Sequence, residues 1–286
     1  RSHSFGNQEK GKDMLRDITL GQYYPSDSVI HKMDPRVKLF GTIVFIISLF
    51  LFQKISVYVV ATLFLAAVIM ISKVPFSFMV KGLKGIFVLM MITVVFNLFL
   101  TPGTTAFAIW KLKVTWEGIR QAAFMALRLT YLILGSSVLT LTTTPNNLTD
   151  GLEKALSPLK VIKVPVHEIS MMMSIALRFI PILLEETDKI MKAQIARGAD
   201  FESGNIIQRA KAMIPLLVPL FISAFRRAND LAMAMEARCY RGGDGRTKMK
   251  PLHYESKDHI AYAVVWGYLV LMIVFGRLLS GTVIPF

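Results

Sequence analysis

Five stretches of this chain, residues 36–53, 55–72, 84–100, 119–141 and 260–279, are apolar over helical lengths that match a bilayer's hydrocarbon core. That core is about 30 Å thick and takes about 20 helical residues to cross. Soluble domains rarely carry so many such runs, because one core cannot bury them all. The rest of the composition agrees: 53% of the residues are hydrophobic and the mean hydropathy is +0.51. The formal charge of +14 would suggest nucleic acid in a soluble protein. In a membrane protein it points instead to cytoplasmic loops, where Lys and Arg accumulate. The expected fold class is therefore an all-α membrane protein with about five transmembrane helices. Nucleic acid is not an expected partner; the lipid bilayer is.

Residues 1–13 are polar, lack an apolar segment and precede Met14, so they read as a remnant outside the fold. Residues 14–141 then form an N-terminal membrane domain of four spans, with no cleavable signal in view. Asp34-Pro35-Arg36 is a helix-start signature, an N-cap followed by proline at the first helical position. Arg36 and Lys38 flank the first span, Lys73, Lys81 and Lys84 lie between the second and third, and the long insert holds most of the remaining cations. The positive-inside rule then puts the N-terminus in the cytoplasm and the C-terminus outside. Lys111 and Lys113 fall on the external side and count against it.

The insert, residues 142–259, separates the fourth span from the final membrane segment, 260–286. Asn147 is a candidate cap for a short amphipathic helix in which Leu148, Leu152, Leu156 and Leu159 share one face. A unit from Val166 to about Asp200 begins apolar, with Met172 and Met173, and ends charged. Another runs from Asn205 to about Tyr240; its apolar part, Ala212–Phe225, includes Leu217 and Phe221 and has the length of an interfacial, re-entrant or protein-buried helix. Both units close on an Ala-Arg pair, Ala196-Arg197-Gly198 and Ala237-Arg238-Cys239. Gly198 suits a left-handed helix C-cap, and Gly242-Gly243 offers the same option beyond Arg238. A cation there complements the helix dipole, worth about 0.3–1 kcal/mol. Two copies at helix tips also suit bidentate docking into acidic grooves of a partner.

Catalytic signatures are absent. The five histidines, His3, His31, His167, His253 and His259, lack metal-ligand spacing, and no phosphate-cradling Gly-x-x-x-x-Gly-Lys-Ser/Thr loop occurs. No cofactor is expected, and Cys239, the single cysteine, allows no internal disulfide. Arg128 and Asn97 lie within spans, where polar groups are functional candidates. They would line the substrate path if the chain were a self-contained secondary transporter, the competing function class, although no inverted repeat of broken spans supports that class.

The chain resembles the transmembrane T component of energy-coupling factor (ECF) transporters, importers related to ABC transporters. The resemblance is carried by Gln22-Tyr23-Tyr24-Pro25-Ser26-Asp27-Ser28, by Asp34-Pro35-Arg36-Val37-Lys38, by Thr144-Pro145 through Gly151-Leu152-Glu153, and by Arg178-Phe179-Ile180-Pro181. Its strongest parts are Ala193-Gln194-Ile195-Ala196-Arg197-Gly198 and Ala234-Met235-Glu236-Ala237-Arg238. It implies a non-enzymatic scaffold in a bacterial or archaeal cell membrane that joins two cytoplasmic ABC-type ATPases to a membrane-embedded, substrate-binding S component. The ATPase-coupling residues it implies are Ala196, Arg197, Gly198, Ala237, Arg238 and Cys239, with Cys239 standing where the family usually has glycine. The faces expected to meet the S component or the interface are those of Leu148, Leu152, Leu156, Met172, Met173, Leu217 and Phe221. Which vitamin or micronutrient is carried is not written in this chain.

Overall fold

The computed structural model describes residues 23–51, 55–109, 112–201, 205–242, 249 and 251–278. Residues 1–22, with Met14, residues 52–53 of the expected first span, Lys111, Gly243 and Leu279 lie outside the described residues. The chain divides into two compact units, one comprising Gly21–Ala155 with Pro251–Phe286 and the other containing Leu156–Lys250.

The first unit holds α1 (Pro35–Leu51), α2 (Ile55–Ser72), α3 (Phe76–Leu100), a hairpin of β1 (Thr105–Ile109) and β2 (Leu112–Thr115), α4 (Trp116–Thr142), α5 (Pro145–Ala155) and α9 (Ser256–Leu278). The start of α1 follows the sequence signature: Asp34 Oδ1 accepts the Arg36 backbone N–H at 2.8 Å, satisfying a free donor of the first turn. α3 begins eight residues before the expected span, because Lys81 and Lys84 are good helix formers and do not stop the helix behind Pro75. The antiparallel pairing of β1 with β2 was not foreseen. Thr115 ends the hairpin and caps α4, its Oγ1 accepting the Gly118 N–H at 3.0 Å.

The core of this unit gathers Phe45, Leu49, Tyr58, Leu65, Met79, Leu134, Val138 and Met272 from α1, α2, α3, α4 and α9. Helices α1 and α4 approach closely because Gly135 has no side chain: a Cβ there would stand 2.8 Å from the Phe45 ring. One carboxylate joins the starts of the first and last spans. Asp258, 1% exposed, accepts the Glu255 N–H at the start of α9 and the Asp34 N–H at the start of α1, each at 2.9 Å. Two helix N-termini remote in sequence thus share one buried acid. Arg36 completes the closure, donating to the Leu252 carbonyl at 2.9 Å and lying 4.2 Å from the Tyr254 ring centre.

The cap of α5 corrects an expectation. Thr144, not Asn147, precedes the first turn: its Oγ1 accepts the Asn147 N–H at 3.3 Å and its carbonyl the Leu148 N–H at 2.9 Å. Pro145 occupies the first helical position, where its missing N–H costs nothing. The α-helix stops at Ala155, since Pro158 disfavours helix in the residue before it, and Ser157–Ile162 is a 3-10 helix. Leu156 and Leu159 therefore do not continue the α5 stripe. Leu148 and Leu152 are half-buried on α5, whose Gly151 fits against Pro35, with 3.1 Å between its would-be Cβ and that ring.

The second unit contains α6 (Val166–Ala196), α7 (Ile206–Ala212) and α8 (Ile214–Ala237). In α6 and α8 the apolar and polar halves fuse into single long helices, although Pro181 and Pro219 lie inside them and each deletes one backbone donor. By length and composition five helices could cross a membrane: Ile55–Ser72, Trp116–Thr142, Val166–Ala196, Ile207–Ala237 and Ser256–Arg277. Three of these are expected spans. The first expected span, α1, has 17 residues and the apolar part of α3 is Gly85–Leu100, so both fall just below that length. The other two lie in the insert, where only shorter apolar segments were expected. Of these five they are the least covered by the rest of the chain, with 11% and 6% of their apolar windows buried against 22–28% in the other three. The protein is thus a helical, multi-pass membrane protein.

Candidate functional site

The two Ala-Arg pairs end their helices by the same device. At the end of α6, Gly198 N–H donates to the Ile195 carbonyl and Ala199 N–H to the Gln194 carbonyl, each at 2.9 Å. At the end of α8, Cys239 N–H donates to the Glu236 carbonyl at 2.8 Å and Tyr240 N–H to the Met235 carbonyl at 3.0 Å. This is the Schellman pattern, a 5→2 and a 6→1 bond around a left-handed residue. That residue is Gly198 in one tip, with φ +90°, and Cys239 in the other, with φ +55°. The cysteine therefore takes the conformation that glycine would. Gly242 also has positive φ, +92°, but lies past the cap, so the Gly242-Gly243 alternative does not end α8. Ala196, Arg197, Ala237, Arg238 and Cys239 are all exposed; each arginine is the cap residue and leads into a turned-away chain.

α6 and α8 run antiparallel. Gln194, near the end of α6, donates through Nε2 to the carbonyl of Pro215, near the start of α8, at 3.3 Å. Further along, Arg227 Nη2 meets Glu186 Oε2 at 3.0 Å. Arg238 lies 23 residues beyond Pro215, so at 1.5 Å per residue the two arginine tips are about 35 Å apart, at opposite ends of the pair. Sequence spacing reveals two tips; only the pairing reveals that they diverge.

The faces behind the tips are apolar and open. On α8, Leu217, Val218, Phe221, Ile222 and Phe225 are exposed, with the Phe221 and Phe225 rings 4.9 Å apart. On α6, Met172 and Met173 are exposed as well. Flexible methionines suit a surface that must fit more than one packing arrangement. Leu156, which follows α5 in the chain, is half-buried.

The in-span polar groups are tied locally. Arg128 is 9% exposed, donates through Nε to the Tyr58 hydroxyl at 3.2 Å and lies 5.2 Å from the Phe50 ring centre. Its charge faces the helix bundle against a hydroxyl and an aromatic face. Asn97 bonds its own preceding turn, Nδ2 to the Thr93 carbonyl at 2.8 Å.

Residues 26–249 match the family model described as cobalt transport protein, CbiQ. Curated relatives named energy-coupling factor transporter transmembrane protein EcfT match nearly end to end. That of Clostridium kluyveri is 59% identical over 250 residues, covering 87% of this chain and 93% of the relative. That of Thermosediminibacter oceani is 51% identical, covering 92% and 99%. That of Bacillus subtilis is 50% identical, covering 86% and 93%. The chain belongs to the EcfT family of energy-coupling factor transmembrane proteins.

Membership makes this EcfT-family chain a transmembrane component of an ECF transporter, in a family of transport proteins rather than enzymes. The matched segment of the family model contains both arginine tips and α5. It stops before Asp258, a buried acid that sequence reading passed over. The one signal for it was an acid in the first turn of the last span.

Proposed function

We propose that the chain is the scaffold and coupling subunit of an ABC-type ECF importer of a vitamin or micronutrient. In this reading two cytoplasmic ATPases receive Arg197 and Arg238, and the S component packs on the open apolar faces of α6 and α8. The observation that carries the proposal is the pair of identically capped arginine tips about 35 Å apart, a separation that suits two partner grooves rather than one. Each arginine is the exposed cap residue of a helix hydrogen-bonded to its end. When ATP draws the two ATPases together, the tips are pulled with them. Rigid helices transmit that displacement to the apolar faces, and the S component reorients. Charge pairing at the tips supports this too, since guanidinium groups hold carboxylates in two-point contacts. The N-terminus is cytoplasmic and the C-terminus external, as the basic residues at the start of α1 and in the second unit favour.

The test is charge reversal. Arg197→Glu with Arg238→Glu is expected to abolish co-purification of both ATPases and substrate uptake, with the chain still inserted in the membrane. Normal assembly and uptake in that variant would refute the proposal. Transport by the purified chain alone in liposomes under an ion gradient would show instead a self-contained transporter.

A further inference from the structure

Helices α1, α2, α4 and α9 enclose a cavity of 270 Å³ within the membrane unit. Its walls are almost wholly apolar, formed by residues such as Val37, Val138 and Val265. Its two ends differ. One end carries the ammonium of Lys38, which donates to the carbonyls of Thr142 at 3.0 Å and His31 at 3.2 Å. At the other end the rings of Phe45 and Phe64, 6.0 Å apart, close the floor.

Depth, opening and charge agree on the occupant. Lys257, at the Lys38 end, and Val265, the deepest α9 residue in the wall, are 8 residues apart, about 12 Å. That approaches the depth of a single leaflet, half of the roughly 30 Å hydrocarbon core. The rim includes Ile71 of α2 and Ile260 and Val264 of α9, all at least half exposed, so the cavity opens sideways between these two helices. Of the cations at this end, Lys32 pairs with Asp27, Arg36 with Asp34 and Lys257 with Glu255. Lys38 has only neutral carbonyl acceptors among the described residues, and an ammonium has three donors to satisfy. Asp34 and Asp258 act on Lys38 only through space, without a direct bond. An apolar slot with an ammonium bonded only to neutral carbonyls at its headgroup end fits a chain-bearing anion.

We infer that this cavity binds one acyl chain of an anionic phospholipid from the leaflet at the start of α1, with the headgroup phosphate on Lys38. Such a lipid wedges α2 against α9 and neutralises the buried ammonium. The inference depends on the membrane placement of these helices and not on the docking of Arg197 or Arg238.

The full chain, purified in mild detergent and exchanged into phosphatidylglycerol or phosphatidylcholine nanodiscs, provides the test. Native mass spectrometry should show one phosphatidylglycerol surviving delipidation and no phosphatidylcholine. Ala261→Phe, which fills the slot, and Lys38→Met should each lower retention at least tenfold. If Ala261→Phe lowers the thermal unfolding midpoint, Leu139→Trp fills the same slot from α4. A photoactivatable acyl chain on phosphatidylglycerol should label Val138 or Val265. Equal retention of both lipids, unchanged retention in the filled variants, or labelling confined to outward residues such as Leu63 would overturn the inference. So would a cross-link showing that a partner subunit's helix fills the slot.

Discussion

At the residue scale, Cys239 and Gly198 occupy equivalent positions at unequal cost. A side chain at positive φ costs about 1–2 kcal/mol relative to glycine. Cys239→Gly is therefore expected to stabilise the α8 tip by about 1 kcal/mol and leave uptake unchanged. Gly198→Val should destabilise the α6 tip by a similar amount or more; amide exchange at Ala199 and Tyr240 measures both. Cys239 is also exposed and is the chain's sole thiol, so its maleimide labelling rate should fall when the ATPases are bound. His31 gives a pH signature. Burial holds its pKa below the ordinary value near 6.5, against the hydrogen bond that its Nε2–H donates to the Tyr24 carbonyl, which acts the other way. The unfolded chain then binds the proton more readily than the fold, so stability rises with pH. The contribution is complete above about pH 6.5 and is lost as pH falls towards the lower folded value. Thermal unfolding between pH 7.5 and 5 should show this slope in the wild type and not in His31→Phe.

At the element scale, helix pairs are set by close contacts of two kinds. Gly135 lets α1 and α4 meet across the Phe45 ring, and Gly135→Ala should cost about 1–3 kcal/mol in detergent unfolding, because the added methyl would stand 2.8 Å from that ring and force it to shift. Between α6 and α8 the bond is polar. Glu186 and Arg227 are partly exposed, so a double-mutant cycle with Glu186→Gln and Arg227→Gln should give only about 0.5–1 kcal/mol of coupling. That modest value reflects solvent screening of a partly exposed pair. The α5 cap shows where local reading fails: Asn147 and Thr144 are both good caps, and Pro145 decides for Thr144 because a proline fits the first position of a helix and not its interior.

At the scale of the whole molecule, the distance between the tips has a thermodynamic consequence. Sites about 35 Å apart with no shared partner act independently. If each tip docks one ATPase, Arg197→Glu and Arg238→Glu should weaken ATPase binding additively in free energy, as measured by titration of each variant and the double. Strong non-additivity would indicate a single shared groove. Both arginines were legible in the sequence because each follows a small residue at the end of a long periodic segment. Their divergence was not, since it arises from contacts between residues 21 to 41 positions apart, Gln194 with Pro215 and Glu186 with Arg227.

The sequence by itself determined whatever depends on neighbours within a turn or two. That covers a multi-pass helical membrane protein, the Asp34 cap, the arginine-ended helices and the resemblance to its family, because apolar length, capping and motif spacing are local properties. Tertiary structure decided what depends on distant groups competing for the same partner. Asp258 serves its own helix start and that behind Asp34, 224 positions away, Arg128 finds Tyr58 across 70, and Lys38 is left with carbonyls because the nearby acids are already engaged. Hydrogen-bond satisfaction in a low-dielectric interior is a global constraint, and a one-dimensional pattern does not contain its solution.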